Sequence, residues 1–339
     1  VEDGKQVVHG ASPVSTLWAA YELIGSWGVG FYLGGDFVPK PDPAVRATLV
    51  ERSHSPALAV RGNVPWCNFA NGPTSWNPQD YRTFLDQMAK QKANFIGFHS
   101  YDHEPFAAYF PGENQVRHGH PLMLADSPHG RNWSPKAYGA RKGPFGTDLF
   151  FDRDSWGTEV GMGEANRVEV MRAQQQLMID ALAYARTELG MKTCMGFEVS
   201  GDSADPDKAG AFVARMKHML DVYPLDYAWI WQVEASSIRH DERKPESEVS
   251  EEVRQHFDYL DRSAHDLHET ERMLGWLRLA HKTIKEHRPE VTMIVSGWGG
   301  EHYLKFSDYY LGLDKLLPKD VVFSALDYID PLHLDKQPT

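Results

Sequence analysis

The chain has 339 residues, enough for one barrel domain or for two smaller domains. Its composition, 42% hydrophobic and 24% charged, is that of an ordinary globular protein. The net charge of −12 argues against nucleic acid or an anionic membrane as the main partner, because both bind basic surfaces. No apolar run reaches the roughly 18 residues that a membrane span requires.

The segment at the start of the chain predicts one helix followed by a short strand. Ser12-Pro13 is a typical helix start, with a capping residue followed by proline, and apolar residues at helical spacing continue to Trp27. Glycines at 28 and 30 end this helix, and residues 31–33 read as a strand. We expect this segment to be the tail of a small α/β domain.

A proline-rich stretch, Pro39-Lys-Pro-Asp-Pro43, predicts a stiff connector. We therefore place a domain boundary there, with the α/β tail and linker at 1–43. The remaining residues, 44–339, form the predicted catalytic domain.

A repeated strand–helix pattern begins near residue 56. Strands are predicted at 56–62, 93–99, 192–198, 226–234, 291–297 and 321–327. Helices are predicted at 78–91, 166–189, 207–221, 264–287 and 306–315. Six strands alternating with five helices predict an α/β fold with a parallel sheet and right-handed crossovers. A closed TIM-type (β/α)8 barrel has eight strands, so we expect an incomplete barrel of about six βα units, truncated at its C-terminal end. A doubly wound sheet is the alternative.

Two long connections interrupt the pattern. Residues 100–164 are rich in Gly, Pro, His and aromatic residues with little periodicity, and residues 236–261 are strongly charged. Loops of such length inside a compact domain are usually functional. We expect both to lie near the active site, although a decorative insertion is an alternative for each.

Two glutamates close short apolar runs that are typical of buried parallel strands. The runs are Lys192-Thr-Cys-Met-Gly-Phe-Glu198 and Asp226-Tyr-Ala-Trp-Ile-Trp-Gln-Val-Glu234. The carboxyl ends of such strands carry the active sites of α/β proteins. Paired carboxylates there predict hydrolysis of a glycosidic bond. Glu234 follows the more apolar run and is the predicted acid, with Glu198 or Asp327 as the second carboxylate.

Other strand ends supply predicted substrate contacts. Arg61 could fork onto a carboxylate or sugar hydroxyls, and Trp66 could stack on a sugar face, although tryptophans such as Trp66 and Trp76 are more often core. The full predicted set is Arg61, Trp66, Asn68, His99, Asp102, His103, Asp202 and Trp298. The spacing of His99 and His103 is weak evidence for metal, because that pair converges only on a helix. We predict no metal and no cofactor.

Cys67 and Cys194 are the only cysteines and fall in different strand-like segments. Their spacing indicates neither a metal site nor a disulfide framework. Both are predicted to be buried thiols.

The residues from Gly10-Ala-Ser-Pro-Val-Ser to Gly30-Phe-Tyr resemble the end of the small α/β domain that precedes the barrel in glycoside hydrolase families 20, 67 and 115. Arg61-Gly62 is similar to the motif of their first barrel strand. The run Phe84-Leu-Asp-Gln-Met to Asn94-Phe-Ile-Gly-Phe-His99 resembles their next helix and strand. The resemblance covers roughly residues 8–105.

This resemblance implies a (β/α)8 barrel, a carbohydrate substrate, and Glu234 as the general acid at the end of the fourth strand. It also implies a secreted or periplasmic protein. The Asp-Glu pair of the hexosaminidases is absent, because Val233 precedes Glu234, which argues against a hexosaminide substrate. We expect an exo-acting glycosidase, and Arg61 would suit a uronic acid.

Two other functions remain open. One is a non-catalytic carbohydrate-binding protein on the same scaffold. The other is a metal-dependent hydrolase or lyase that uses His99, His103 and neighbouring acids. The sequence leaves the sugar, the linkage, the stereochemical outcome and the oligomeric state open.

Overall fold

The computed structural model describes about three fifths of the chain in separate stretches. The described residues are 6–41, 52–65, 67, 73, 76–100, 105–112, 115–117, 167–199, 203–232, 249–256, 264–297 and 312–324. Every structural statement below concerns these residues.

Parallel strands form the main sheet, and two small two-stranded sheets accompany it. The strands are β1 (Gly30–Tyr32), β2 (Gly35–Phe37), β3 (Gly62–Asn63), β4 (Phe95–Ser100), β5 (Tyr109–Gly112), β6 (Gln115–Arg117), β7 (Lys192–Val199), β8 (Tyr227–Gln232), β9 (Thr292–Gly297) and β10 (Val322–Phe323). The six-stranded sheet has the order β10-β9-β8-β7-β4-β3, and the small sheets pair β1 with β2 and β5 with β6. The protein is therefore α/β with a six-stranded parallel sheet, which is compatible with part of a barrel.

Helices alternate with the strands of this sheet. They are α1 (Pro13–Gly25), α2 (Pro78–Lys90), α3 (Arg167–Thr187), α4 (Pro206–Val222), α5 (Glu251–His256) and α6 (Ala264–His287), followed by a helical turn at 312–316. None of the helices in these stretches is long and apolar enough to cross a bilayer.

Local sequence signals explain where three of the helices begin. Ser12 caps α1 and Asn77 caps α2, each through a capping box, and Asp205 caps α4 by accepting from the backbone of Asp207 and Lys208. A proline follows each cap, where its missing N–H costs nothing. A capping residue followed by proline therefore marks where each of these three helices begins.

The described residues divide into two compact units. Unit 1 contains Val1–His99, His103–Ala108 and Gly112–Thr193, and unit 2 contains Ser100–Asp102, Tyr109–Pro111 and Cys194–Thr339. The predicted boundary at residue 43 is not where this division falls, and it stays a prediction.

In unit 1, α2 packs its apolar face around Phe84, Leu85 and Met88, all buried. Helix α3 is tied to α2 by the hydroxyl of Tyr184, which donates to the carboxylate of Asp86 at 2.6 Å. Burial, together with this hydrogen bond to Asp86, raises the pKa of Tyr184 to about 12. The phenol therefore stays protonated throughout the neutral range.

In unit 2, β7, β8, β9 and β10 run parallel in one continuous ladder. Helix α6 packs against α4, with the rings of Phe212 and Trp276 5.0 Å apart. At its end, α6 is joined to Asp320 by Lys285 and His281 at 2.6 and 2.9 Å. The hydrogen bond from Lys285 is the main reason that the pKa of Asp320 lies below its usual value.

Most predicted elements are confirmed. Helix α6 has the predicted bounds, and the strands predicted at 93–99, 192–198 and 291–297 lie within two residues of β4, β7 and β9. Both cysteines are buried free thiols, and burial raises the pKa of Cys194 well above its usual value.

One strand prediction was wrong in part. The strand predicted at 56–62 is only Gly62–Asn63, because the preceding residues extend along the surface with Leu58 and Val60 exposed. Strands β5 and β6 lie inside the segment 100–164, and α5 lies inside the charged segment 236–261, where no elements were predicted. The remaining residues of both segments lie outside the described ranges.

Candidate active site

The register of unit 2 aligns three side chains near the carboxyl ends of neighbouring strands. Glu198 of β7 is the Cα partner of Trp231 in β8, which in turn is the partner of Ser296 in β9. Paired residues of adjacent parallel strands point to the same face, about 4.8 Å apart. Glu198, Trp231 and Ser296 thus form a row on one face of the sheet.

All three members of this row are buried. Glu198 is 6% exposed, whereas Trp231 and Ser296 are fully buried. The hydroxyl of Ser296 donates to the backbone carbonyl of Ser324 at 2.5 Å. This bond fixes the end of β9 to the residue that follows β10. A carboxylate held in such surroundings is unusual for a purely structural glutamate.

An indole pair lies on the same face, one step closer to the amino ends of the strands. Trp229 and Trp231 are stacked, with ring centroids 4.7 Å apart and an interplanar angle of 23°. They lie against Gly196, the residue two positions before Glu198 in β7. The carboxyl group of Glu198 therefore shares its face of the sheet with an apolar aromatic surface.

The opposite face of these strands is apolar. Met195, Ile230, Met293 and Val295 alternate with the residues of the row, and all four are fully buried. Because strand side chains alternate between faces, Glu198 and Ser296 bring polar groups to the other face, which also carries Trp229 and Trp231.

Arg61 does not lie where it was predicted. Its backbone carbonyl accepts from the N–H groups of Asn94 and Phe95, so it precedes β3 and lies at the amino end of that strand. The earlier expectation placed Arg61 at a carboxyl end and is wrong, because the strand begins only at Gly62.

The guanidinium of Arg61 also has structural partners. Its Nε donates to the carbonyl of Lys92 at 3.1 Å, its Nη1 donates to the carbonyl of Leu58, and it lies 4.6 Å from the centroid of the Trp18 ring. The predicted role of Arg61 in substrate binding depended on its place at a carboxyl end, and it has no part in the proposal below.

His99 lies in β4 and is fully buried in unit 1. Its backbone N–H donates to the carbonyl of Pro65 at 3.2 Å, and its own carbonyl accepts from Cys67 at 3.1 Å. Burial lowers the pKa of the imidazole to about 3, so the ring is neutral at physiological pH. The predicted role of His99 in substrate binding stays a prediction.

Trp76 is core, as the sequence favoured. It is 5% exposed, and its ring packs against Tyr81 and Phe84 at 5.3 and 4.9 Å. It is therefore not available as a sugar platform.

The other predicted site residues lie outside the described residues. They are Glu234 and Asp327 among the catalytic candidates, and Trp66, Asn68, Asp102, His103, Asp202 and Trp298 among the substrate-binding candidates. Glu234 follows the last described residue of β8, Gln232, by two positions.

The sequence analysis missed Gly196, and it associated Trp229 and Trp231 with Glu234 rather than with Glu198. The sequence predicts an apolar setting for Glu234 from the run that contains Trp229 and Trp231, and these tryptophans lie on the face that carries Glu198. An isolated glycine inside a strand often marks close approach by another group, and that was the available signal. The Trp-x-Trp spacing likewise indicates two side chains on one face.

Within the described ranges, no group of three or more His, Cys, Asp or Glu residues could hold a metal ion. The described part of this row offers a buried carboxyl group, an aromatic pair and a hydroxyl. Such a set can exchange a proton or stabilise a developing positive charge.

Comparisons with known proteins add no family to this description: no family model, curated protein or solved structure matches the chain.

Proposed function

We propose that the protein is a glycoside hydrolase that cleaves a glycosidic bond by two-carboxylate acid–base catalysis. The observation that carries the proposal is Glu198, a buried carboxylate near the carboxyl end of a parallel strand, beside an indole pair. Active sites of α/β proteins lie at this edge. Glycosidases use a pair of Asp or Glu carboxyl groups on either side of the scissile bond.

The proposal assigns two roles. Glu198 is the nucleophile or the general base, and Glu234 is the general acid that protonates the leaving oxygen. Asp327 is the alternative to Glu198. A carboxyl separation of about 5 Å would give retention of the anomeric configuration, and one of roughly 6.5–9.5 Å would give inversion.

The substrate is an oligo- or polysaccharide attacked from one end, as the family resemblance implies. The preference for a uronic acid rested on Arg61, whose guanidinium is engaged by backbone carbonyls and a tryptophan ring. The proposal therefore extends to neutral sugars as well.

The test is a panel of p-nitrophenyl glycosides, covering neutral hexosides, pentosides and uronides in both anomeric forms. We expect the wild-type protein to release p-nitrophenol from at least one of them, and Glu234→Gln to lose that activity. If Glu234→Gln kept full activity on every substrate cleaved by the wild type, the assignment of the acid would be wrong.

The carbohydrate-binding alternative gives a different result in the same panel. It predicts heat of binding in calorimetry with the free sugars but no product from any glycoside. A metal-dependent enzyme would lose activity on thorough chelation, whereas the proposed enzyme would keep it.

A further inference from the structure

A glycine in β7 determines what lies beside the proposed catalytic carboxylate. We propose that Gly196 is a positioning residue: because it has no side chain, the stacked indoles of Trp229 and Trp231 lie against β7 directly before Glu198 and hold that carboxylate in place. The consequence for catalysis rests on the proposed function, whereas the packing relationship does not.

Position 196 requires glycine because the two indoles leave no room for a side chain there. A Cβ on Gly196 would lie 2.5 Å from Nε1 of Trp231 and 3.2 Å from Cβ of Trp229. Real Cβ atoms essentially never approach another heavy atom closer than 3.0 Å. Gly196 is also absent from the described residues with positive φ, so its backbone would accept any L-residue.

The register explains how this space connects to Glu198. Gly196 and Glu198 are two residues apart on one strand and share a face. Trp231 is the partner of Glu198, yet its Nε1 lies over Gly196, so the indole runs back along β7. It occupies the position that a side chain at residue 196 would otherwise fill.

The tryptophans act through Glu198 rather than on a substrate. Trp231 is fully buried and Trp229 is 6% exposed, and each ring covers the other. Neither offers a free face to a sugar ring. A side chain at 196 would displace the pair from β7 and shift the carboxylate next to it.

The first experiment measures the indole pair itself. Two stacked indoles give an exciton couplet in circular dichroism, and we expect Gly196→Ala to remove or invert it. Gly210→Ala is the matched control, because Gly210 is an exposed position of helix α4 with no heavy atom within 4 Å of an added Cβ. An unchanged couplet in Gly196→Ala would overturn the proposal.

The second experiment measures the effect on Glu198. On a glycoside that the wild type cleaves, Gly196→Ala should lower kcat by about 10²-fold, as expected for a catalytic group displaced by about 1 Å. KM should change by no more than about twofold, because the sugar contacts are unaltered. If KM rose by the same factor by which kcat fell, the result would contradict a positioning role.

A rescue variant separates positioning from loss of folding. Trp231→Phe removes the nitrogen that an added Cβ would meet, so Gly196→Ala/Trp231→Phe should melt at a higher temperature than Gly196→Ala and regain part of kcat. If the double variant were no better than Gly196→Ala in either measurement, the space argument would be wrong.

A double-mutant cycle in melting temperature tests the packing relationship when no glycoside is cleaved. The proposed function would then fail, but the changes in Tm of Glu198→Gln and Trp231→Phe should still be non-additive in the double variant. Additive changes would show that Glu198 and Trp231 are energetically independent and would remove the inference by itself.

Discussion

Glu198 and Trp231 are direct neighbours across β7 and β8, paired in register and pointing to the same face of the sheet. One is a carboxylate with 6% exposure and the other is a fully buried indole. This pairing is the physical basis of the glycosidase proposal.

His99 should remain uncharged far below the range in which ordinary histidines titrate. Burial lowers its pKa to about 3, from a usual value of 6.5. A histidine with a depressed folded pKa contributes stability fully above pH 6.5, and that contribution falls as the pH decreases from 6.5 toward 3, because the unfolded chain takes up the proton first. We expect its ring resonances in an NMR titration to stay constant between pH 7 and pH 4.5.

The linked stability gives a second measurement on His99. As the pH falls from 6.5 toward 3, protonation of His99 in the unfolded chain should lower the free energy of unfolding by up to about 1.4 kcal/mol per pH unit. Urea unfolding of the wild type and of His99→Asn should therefore converge as the pH falls. A titration midpoint near 6.5 for His99, or parallel pH profiles of the two proteins, would refute the burial argument.

The hydrogen bond between Tyr184 and Asp86 should contribute to stability up to alkaline pH. Tyr184→Phe removes the donor and should cost about 1 kcal/mol in urea unfolding at pH 8. Since the folded pKa is raised to about 12 from 10.0, the stabilisation is fully present below pH 10 and is lost as the pH rises from 10 to 12. The difference between wild type and Tyr184→Phe should shrink over that interval, and a constant difference would contradict it.

The cap of α2 offers a test of how a local sequence signal stabilises the start of a helix. Asn77 accepts from the backbone N–H of Asp80 at 2.9 Å, and Asp80 accepts from the backbone of Asn77 at 2.8 Å. Asn77→Ala should lower the unfolding free energy by about 1 kcal/mol, whereas Asn77→Ser keeps an acceptor and should cost much less. Equal losses in the two variants would show that the side-chain acceptor is not what stabilises this end.

Local signals were sufficient for the elements whose preferences are encoded within a few residues. The Ser-Pro and Asn-Pro starts fixed α1 and α2, and continuous apolar runs fixed β4, β7 and β9. The bounds of α6 also followed from its helical spacing. The sequence also placed Glu198 at the end of an apolar strand, and β7 ends one residue later, at Val199.

Other features depended on contacts distant in sequence. Arg61 follows residues with strand-like composition, but its place is set by Asn94, 33 residues later, whose side-chain oxygen accepts from the Arg61 backbone at 2.8 Å. The approach of Trp231 to Gly196 likewise depends on the register of two strands. A sequence pattern gives the faces of each strand but not which residues of two strands become partners.

The most direct test of the account is the activity of Glu198→Gln, which keeps the shape of the side chain and removes its charge. Glu188→Gln is the control, because Glu188 is an exposed glutamate just after α3. On a glycoside that the wild type cleaves, we predict that Glu198→Gln lowers kcat/KM by about 10²–10⁴-fold while Glu188→Gln has no effect. Wild-type kcat/KM in a folded Glu198→Gln protein would contradict the central claim that this carboxylate takes part in catalysis.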